Sequence, residues 1–442
     1  MTNLYRTFLS AIAVCLLTAG QTSAVVFSTS TNDGIGADTY IQRGNANANF
    51  NNSSHITIKD SGTGSTTRKG YLRLDLSGAD GPFIGAGLDL RVSINNSGGN
   101  PLDPAPDAFV VNVYGLNNGD AGENWGETTT TWNNAPGNVT ANNTLATNTT
   151  LLGSFNVPAV PAGNTINFNS AALATFLNQD TNGRASLILQ RDRVSNEVNL
   201  AFNSNRNNSP NAPVLTGNID GILKTVTTCM GQGADAYVRG GTNSGNNYGN
   251  SSNLVVKHSG NSSFTRHAYL KFDLSDIGEA LHAGLTLDVL SNNGGGNDPT
   301  PKVFTVEVFG LNDGESGENW AEGTIDYNNA PGHLGSNNGM DPSTTTFLGS
   351  FVVEDNPGGR VIFANEDLID FLNADTNDLV TLMLRRNGGN GGYNLVFASD
   401  EHGSLQAPRL DIVERIVPEP ATATLALLGL GALARRRRRS LA

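Results

Sequence analysis

The sequence predicts an all-β protein built from two tandem β-sandwich domains of the jelly-roll type. The first observation is an internal repeat, in which matching segments recur at a spacing of 195 to 198 residues. The second is the character of each copy, where short alternating or β-branched apolar runs are separated by Gly, Asn, Pro and Asp clusters. The 52 glycines fit a fold with many turns. Many short strands joined by turns are typical of a sandwich rather than of a helical or α/β protein.

The repeat sets the expected domain boundaries. The segment "TRKGYLRLDL" from Thr67 returns as "TRHAYLKFDL" from Thr265, and "GLNNGDAGENW" returns as "GLNDGESGENW". We therefore expect copy one at 25–217, a linker at 218–233 and copy two at 234–415. Each copy also contains one short helical pattern, "SAALATFLNQD" or "NEDLIDFLNAD", that begins with a residue suited to an N-cap.

Both ends of the chain carry export signals. Residues 1–24 combine one basic residue, an apolar run and a small-residue cleavage site, which is the pattern of a secretory signal peptide. Residues 416–442 contain Pro-Glu-Pro, a short apolar segment at 421–434 and five arginines. As a transmembrane helix, that segment reaches only about 21 Å against a hydrocarbon core of about 30 Å, so we expect only transient membrane association.

The C-terminal pattern resembles the PEP-CTERM sorting signal of Gram-negative bacteria. That resemblance implies cleavage near Pro-Glu-Pro by an exosortase, followed by delivery to the cell surface or the extracellular matrix. The arginine block is expected to remain on the cytoplasmic side of the membrane until then.

Charge and motif content exclude several classes of function. Without the two signals the body has 21 basic and 39 acidic residues, so it is not expected to bind nucleic acid through bulk charge. Cys15 leaves with the signal peptide, so Cys229 has no partner in the mature chain and is expected to be a free thiol, the alternative being a disulfide to another chain. No GxSxG, HExxH or P-loop pattern is present, and we predict no catalytic residue and no enzyme activity.

The strand that opens the repeat predicts a binding face. Because side chains alternate along a strand, Leu72 and Leu74 are expected to face the core while Tyr71 and Arg73 face away. Three basic residues are expected to join them: Lys59 at the end of the preceding strand, Arg68 just before Tyr71, and Arg191 near the end of a late strand. The candidate ligand-binding residues are Lys257, Arg266, Tyr269, Lys271 and Arg386 in copy two, and Lys59, Arg68, Tyr71, Arg73 and Arg191 in copy one.

A face with rings and cations suits sugars, because rings pack on C–H faces and cations hold uronate carboxylates. The alternative interpretation is a solvated strand face, in which the basic residues pair with Asp75 and Asp273. In functional terms, we expect either a glycan-binding surface protein or a structural matrix or adhesion protein without a defined sugar ligand.

Both copies resemble the DNRLRE domain, a family assigned among carbohydrate-binding modules. The matching segments in copy two are "ADAYVRGG", "NYGNSSNLVVKHSG", "TRHAYLKFDL", "NNAP" and "APRL". The resemblance implies a β-sandwich that binds polysaccharide, with alginate-binding members in the family. By the same resemblance the basic residues that bind are Lys257, Arg266 and Lys271, with Lys59, Arg68 and Arg73 in copy one. Copy one departs from the pattern, with "NANFNNSS" where copy two has "NNYGNSS", so we expect the stronger site in copy two.

Two acidic loops suggest a structural Ca²⁺ ion, since oxygen ligands around glycines suit a flexible calcium site. The alternative is a solvated hairpin loop. The candidate ligands are Asp38, Asp120 and Glu123 in copy one, and Asp235, Glu315 and Glu318 in copy two. The tryptophans that follow these loops, Trp125 and Trp320, are expected to lie in the core rather than to serve as sugar platforms.

Overall fold

The computed structural model describes residues 25–61, 64–96, 108–192, 199–206, 211–259, 262–291, 302–335, 339–353, 359–388 and 393–416. The predicted signal peptide at 1–24 and residues 417–442 of the predicted sorting signal lie outside these residues. The elements of the first domain are β1 Val25–Ser30, β2 Ala37–Gln42, β3 His55–Ile58, β4 Arg68–Asp75, β5 Phe83–Asn96, β6 Phe109–Leu116, β7 Thr149–Val157, β8 Thr165–Asn169, α1 Ala171–Asn178, β9 Arg184–Arg191, β10 Asn199–Asn203 and β11 Val214–Ile219. The elements of the second domain are β12 Ile222–Thr227, β13 Ala234–Arg239, β14 Asn253–Val256, β15 Arg266–Asp273, β16 Ala280–Ser291, β17 Phe304–Leu311, β18 Thr345–Val353, β19 Arg360–Phe363, α2 Glu366–Ala374, β20 Leu379–Arg386, β21 Leu395–Ala398 and β22 Arg409–Glu414.

Each domain contains two sheets that enclose a core. In the first domain, one sheet has the order β1-β11-β5-β10-β3 with β8 on β5, and the other has the order β2-β4-β9-β6-β7. The second domain repeats this plan with β12-β22-β16 plus β21, β14 and β19, facing β13-β15-β20-β17-β18. The prediction of two tandem β-sandwich domains is confirmed.

The apolar residues of the repeated strand lie in the two main cores, as alternation predicts. Leu72, Leu74 and Leu76 of the first domain lie in its main hydrophobic core. Their counterparts in the second domain, Leu270, Phe272 and Leu274, lie in the matching core. The alternation of the repeated strand therefore separates two faces, as expected for a strand buried on at least one side.

The outer face of this strand is covered by a second, smaller core. In the first domain the loop between β6 and β7 places Trp125 and Trp132 against Tyr71. In the second domain the loop between β17 and β18 places Trp320 and Tyr327 in the same core as Tyr269. We call the described residues of these two segments, 117–148 in the first domain and 312–335 with 339–344 in the second, the covering loops. As expected, both tryptophans that follow the acidic loops are buried.

The domain boundary differs from the predicted linker. Strand β12, within the segment expected to be a linker, pairs antiparallel with β22 along its whole length. Strand β11 continues to Ile219 and pairs with β5 and β1. The two domains are thus joined by little more than Asp220 and Gly221, because the chain at 222–227 is recruited as an edge strand.

The two sandwiches also pair directly. Strand β7 of the first domain and β19 of the second pair in parallel, through Arg360 with Thr150 and Val361 with Leu151. This pairing joins sheets of both domains into one sheet of 11 strands. The junction therefore has a hydrogen-bonded backbone contact in addition to the short connection along the chain.

Both predicted helices are present, and one carries the expected cap. The side chain of Asn365 accepts a hydrogen bond from Leu368 N at 2.9 Å at the start of α2. Ser170, at the start of α1, instead donates to Leu152 O at 2.6 Å. No helix in the described part of the chain is long and apolar enough to cross a membrane, and the apolar segment 421–434 lies outside it. Cys229 is an exposed free thiol.

Candidate functional site

Tyr269 and Lys271 do not form an open face, which corrects the prediction made from strand parity. Tyr269 is fully buried and donates a hydrogen bond from its hydroxyl to Pro331 O at 2.9 Å. Lys271 is 5% exposed, and its Nζ donates to Trp320 O at 2.6 Å and lies 5.2 Å from the centroid of the Trp320 ring. The covering loop buries both side chains. Strand parity predicted that Tyr269 and Lys271 share a face, but it did not predict that a loop packs on that face.

The first domain shows the same arrangement. Tyr71 is buried, with its hydroxyl donating to Pro136 O at 3.0 Å. Arg73 donates to Ile35 O and Trp125 O, and its guanidinium lies 5.2 Å from the centroid of the Trp125 ring. Through these contacts, Tyr71 and Arg73 attach the covering loop to the sheet.

The late-strand arginines are also buried. Arg191 is 1% exposed, with its guanidinium carbon 4.1 Å from the Phe109 ring centroid. Arg386 is 1% exposed and lies 3.9 Å from the Phe304 ring centroid. Arg191 borders a cleft of about 220 Å³ at the domain junction, but neither arginine is presented openly to solvent.

Two predicted residues, Lys257 and Arg266, do come together, and a third cation joins them. Arg266 of β15 is the register partner of Arg239 of β13, and it forms a bridge with Lys257 just beyond β14. All three side chains are partly exposed. We call Arg239, Lys257 and Arg266 the cationic cluster.

The cluster lies on the side of the sheet opposite to the predicted face. Arg266 has the same parity as Ala268 and Leu270, which pack in the main core of the second domain. Residues paired across neighbouring strands share a face, so Arg239 lies on this side as well. The cluster therefore continues the inner face of the sandwich beyond the end of its apolar core.

Burial and mutual repulsion act on the charges of this cluster. Burial lowers the pKa of Lys257, and the neighbouring Arg266, Arg386 and Arg239 lower it further. Burial also lowers the pKa of Arg266, with Arg239 acting in the same direction. Several cations held this close create a local positive potential in a protein that is acidic as a whole.

Aromatic rings border the cluster. Tyr237 and Tyr248 stack with ring centroids 4.4 Å apart and an interplanar angle of 20°. Phe264 is 49% exposed, and Lys257 Nζ lies 5.8 Å from its ring centroid. Arg266 donates from Nη1 to Asn394 Oδ1 at 3.1 Å. The cations and rings together offer donors for carboxylates and apolar faces for sugar rings.

Sequence reasoning missed Arg239, Tyr237 and Tyr248. The signal for two of them was present, since Tyr237 and Arg239 alternate within "ADAYVRGG" and must share one face of a strand. The link to Lys257 and Arg266 depends on the pairing of β13 with β15, which one sequence does not disclose.

The first domain has a weaker version of the cluster. Gln42 takes the place of Arg239, and Phe50 takes the place of Tyr248 in a ring pair with Tyr40 at 4.4 Å. Arg68 donates to Gln42 Oε1 at 3.1 Å and to Asn199 Oδ1 at 2.7 Å. Lys59 is only 8% exposed. The first domain therefore offers fewer and more constrained cationic donors.

The candidate metal ligands in the acidic loops have protein partners. Asp120 accepts from Gly122 N and Asn148 Nδ2, each at 2.7 Å. Glu123 accepts from Asn182 Nδ2 at 2.7 Å, and Glu318 accepts from Asn377 Nδ2 at 2.7 Å.

Glu315 lies outside both carboxylate groups found among the described residues, which are Asp235, Glu322, Asp400 and Glu401, and Asp313, Glu318 and Asp375. Asp38 accepts from Thr31 Oγ1 at 2.6 Å and Asn205 N at 2.7 Å, and its pKa is raised to about 7, chiefly by burial.

Two β-sandwich domains, with cations and aromatic rings brought together in the second, fit the class of carbohydrate-binding modules. The chain belongs to Carbohydrate-binding module family 96, which matches residues 32–218 and again residues 226–414. Residues 417–439 match the PEP-CTERM protein-sorting motif. The predicted tandem modules and sorting signal are confirmed, and the chain is an exported carbohydrate-binding protein with non-catalytic binding domains.

Solved structures give only loose similarity. One is PNGase F, a glycosylasparaginase from Flavobacterium meningosepticum, with 11% identity, a TM-score of 0.25 and coverage of 83% of this chain and 97% of that chain. Another is the N-terminal CBM22-1–CBM22-2 tandem domain of Paenibacillus barcinonensis Xyn10C, with 7% identity, a TM-score of 0.19 and coverage of 89% and 97%. Superpositions this loose carry no functional information. No curated protein matches the sequence.

Proposed function

We propose that the protein binds an anionic, uronate-type polysaccharide through the cationic cluster of its second domain. The observation that carries this proposal is the convergence of Arg239, Lys257 and Arg266 beside the stacked rings of Tyr237 and Tyr248. A uronate chain presents a carboxylate and an apolar ring face on each residue, and the cluster supplies a partner for both.

The local field, rather than the net charge, supports an anionic ligand. The body of the protein is acidic, but interactions between exposed charges are screened over about 10 Å at 0.1 M salt. The cations of the cluster are register partners on adjacent strands and are therefore well within that distance of one another. Binding should accordingly weaken as salt is added.

Removing one cation from the cluster is expected to weaken binding without unfolding the domain. Arg239→Ala and Arg266→Ala should each raise the Kd for alginate, used as the uronate probe, by roughly 5- to 150-fold. This range corresponds to the loss of about 1–3 kcal/mol from a hydrogen bond to a charged group. Isothermal titration calorimetry or affinity electrophoresis of the full described body provides the measurement.

The matched control is Arg415→Ala, which removes one cation near the start of β16, whereas β21 and the cluster lie toward its other end. Arg415 is about half exposed and pairs with Glu279. If Arg415→Ala weakens binding as much as the cluster variants do, the effect is one of net charge. If the cluster variants bind alginate like the parent, the site lies elsewhere.

A structural matrix or adhesion role is the second candidate, and the domain junction favours it. The parallel pairing of β7 with β19 makes the two domains share a continuous sheet, which suits a stiff spacer. A body that binds no polymer on a glycan array would favour this role over glycan binding. The two roles are compatible if the junction holds two sites at a fixed spacing along one polymer.

The sorting motif supports a proposed route to the surface of a Gram-negative-type bacterium. In this proposal an exosortase is the processing partner, membrane association is transient, and the product stays on the surface or in the extracellular matrix. Intact-mass analysis of native protein is expected to show a chain that starts near Val25 and lacks the arginine block. A mass that retains residues 435–439 would contradict this processing.

A further inference from the structure

A group of four carboxylates lies at one edge of the second domain. Asp235 at the start of β13, Glu322 in the covering loop, and Asp400 and Glu401 after β21 each place an oxygen within 4.8 Å of the others. They come from three separate segments of the chain, so the fold rather than local sequence brings them together. The group is separate from the cationic cluster.

Three carboxylate oxygens in this group are buried without a hydrogen-bond partner among the described residues. Asp235 is 0% exposed, and its Oδ2 accepts from Thr228 Oγ1 at 2.7 Å and from Asp400 N at 3.0 Å. Its Oδ1 is buried with no hydrogen-bond partner among the described residues, and the same is true of Glu322 Oε1 and Asp400 Oδ1. Buried polar atoms are nearly always satisfied, so three buried oxygens without a partner in one group require an explanation.

The first domain shows how the same position is neutralised by protein atoms. The counterparts of the four carboxylates there are Asp38, Glu127, Asn205 and Arg206. Arg206 pairs with Glu127 at 3.4 Å, and Asn205 Nδ2 donates to Glu127 Oε1 at 3.1 Å. A cation and an amide thus stand where the second domain has two further carboxylates.

We propose that Asp235, Glu322, Asp400 and Glu401 bind a divalent cation, with Ca²⁺ as the fitting ion, in the place that Arg206 takes in the first domain. The donor set is made entirely of hard oxygens, which suits Ca²⁺ and disfavours Zn²⁺ or Cu²⁺. Opposite ligands at calcium distances lie roughly 4.6–5.2 Å apart, and the spacing of these oxygens falls within that limit. Water or backbone oxygen would fill about two to four further positions.

The site predicts calcium-dependent stability of the second domain. At a Ca²⁺ concentration 100 times its Kd, the melting temperature of the second domain should rise by about 5–10 °C relative to protein in excess chelator. Calcium chloride is the probe, and differential scanning calorimetry of the full body reads both domains. Calorimetric titration should show one ion bound at this group.

A double substitution copied from the first domain separates this ion site from any other. Asp400→Asn with Glu401→Arg should remove both the temperature shift and the bound ion while the domain still folds, because the first domain already uses that pair. The matched control is Asp313→Asn, which places the first-domain residue in the other carboxylate group. Both oxygens of Asp313 already accept hydrogen bonds, from Thr376 Oγ1 and Asn377 Nδ2.

The Ca²⁺ response of the melting temperature in these variants decides whether the proposed ion site exists. Loss of the shift in the double variant and its retention in Asp313→Asn support the site. A wild-type melting temperature that does not respond to Ca²⁺, or an equal response in the double variant, overturns it. The reverse change in the first domain, Asn205→Asp with Arg206→Glu, should add a second bound ion, and failure to do so would count against the equivalence of the two positions.

Discussion

Replacing Trp320 with alanine is expected to destabilise the second domain by about 3–5 kcal/mol, the usual cost of removing a large buried aromatic side chain. Trp320 is 7% exposed and packs edge-on against Tyr269 with ring centroids 6.2 Å apart. Its indole N–H donates to Thr381 Oγ1 at 3.0 Å. Its ring also faces the ammonium of Lys271, so one substitution removes packing, a hydrogen bond and a cation–π contact.

The melting temperature of the second domain should fall by roughly 6–20 °C, because 1 kcal/mol corresponds to about 2–4 °C for a domain of this size. Phe347→Ala is the control, since Phe347 is 53% exposed and should cost less than about 1 kcal/mol. Trp125→Ala should produce the matching loss in the first domain, where the indole N–H donates to Ser186 Oγ. A Trp320→Ala domain as stable as the parent would show that the covering loop does not stabilise the sheet.

The tryptophans of the covering loops bury the strand face that the sequence predicts to be open. Alternation along β15 correctly placed Leu270 and Phe272 in the core and Tyr269 and Lys271 on the other face. Alternation does not reveal what covers a face, and the covering loop is distant in sequence and has no regular period. Alternation alone therefore predicts an exposed Lys271, whereas its ammonium donates a hydrogen bond to the Trp320 carbonyl in the covering loop.

The cationic cluster shows a different limit. Lys257 and Arg266 were identified from the repeated segments, but Arg239 was not, because its proximity depends on strand register. Register is set by long-range pairing and turn geometry, which one sequence specifies only weakly. The repeat itself was the most informative feature, since it predicted the number of domains and their tandem order.

The two copies differ in sequence at both proposed sites of the second domain. Gln42 against Arg239, and Arg206 against Glu401, are natural substitutions at equivalent positions of one fold. Gln42 leaves the first domain with one cation fewer at the position of Arg239. Arg206 gives the first domain a cation at the position where the second domain has the carboxylate of Glu401. The copies have thus diverged at the edge of the sandwich while their cores have kept the same plan.

The domain junction contains a buried histidine that should make its stability depend on pH. His282 of β16 is 2% exposed, and its Nε2 lies 2.8 Å from Thr175 Oγ1 of helix α1 in the other domain. Nearby, Gln179, the C-cap residue of α1, donates to Asp411 of β22 at 3.0 Å. Burial lowers the pKa of His282 to about 4, although the charge of Asp411 acts in the opposite direction.

Acidification from pH 7 to pH 4 is expected to destabilise the junction by up to roughly 3 kcal/mol through His282. The unfolded chain takes up the imidazole proton near pH 6.5 and the folded chain only near pH 4, so stability present above pH 6.5 is lost as the pH falls between these values. His282→Gln keeps a side chain able to bond Thr175 but does not titrate. Denaturant unfolding of both proteins at pH 7 and pH 4 should show a larger loss for the parent, because carboxylates away from His282 titrate alike in the two. An equal loss in parent and variant would mean that His282 is protonated as readily in the folded junction as in the unfolded chain.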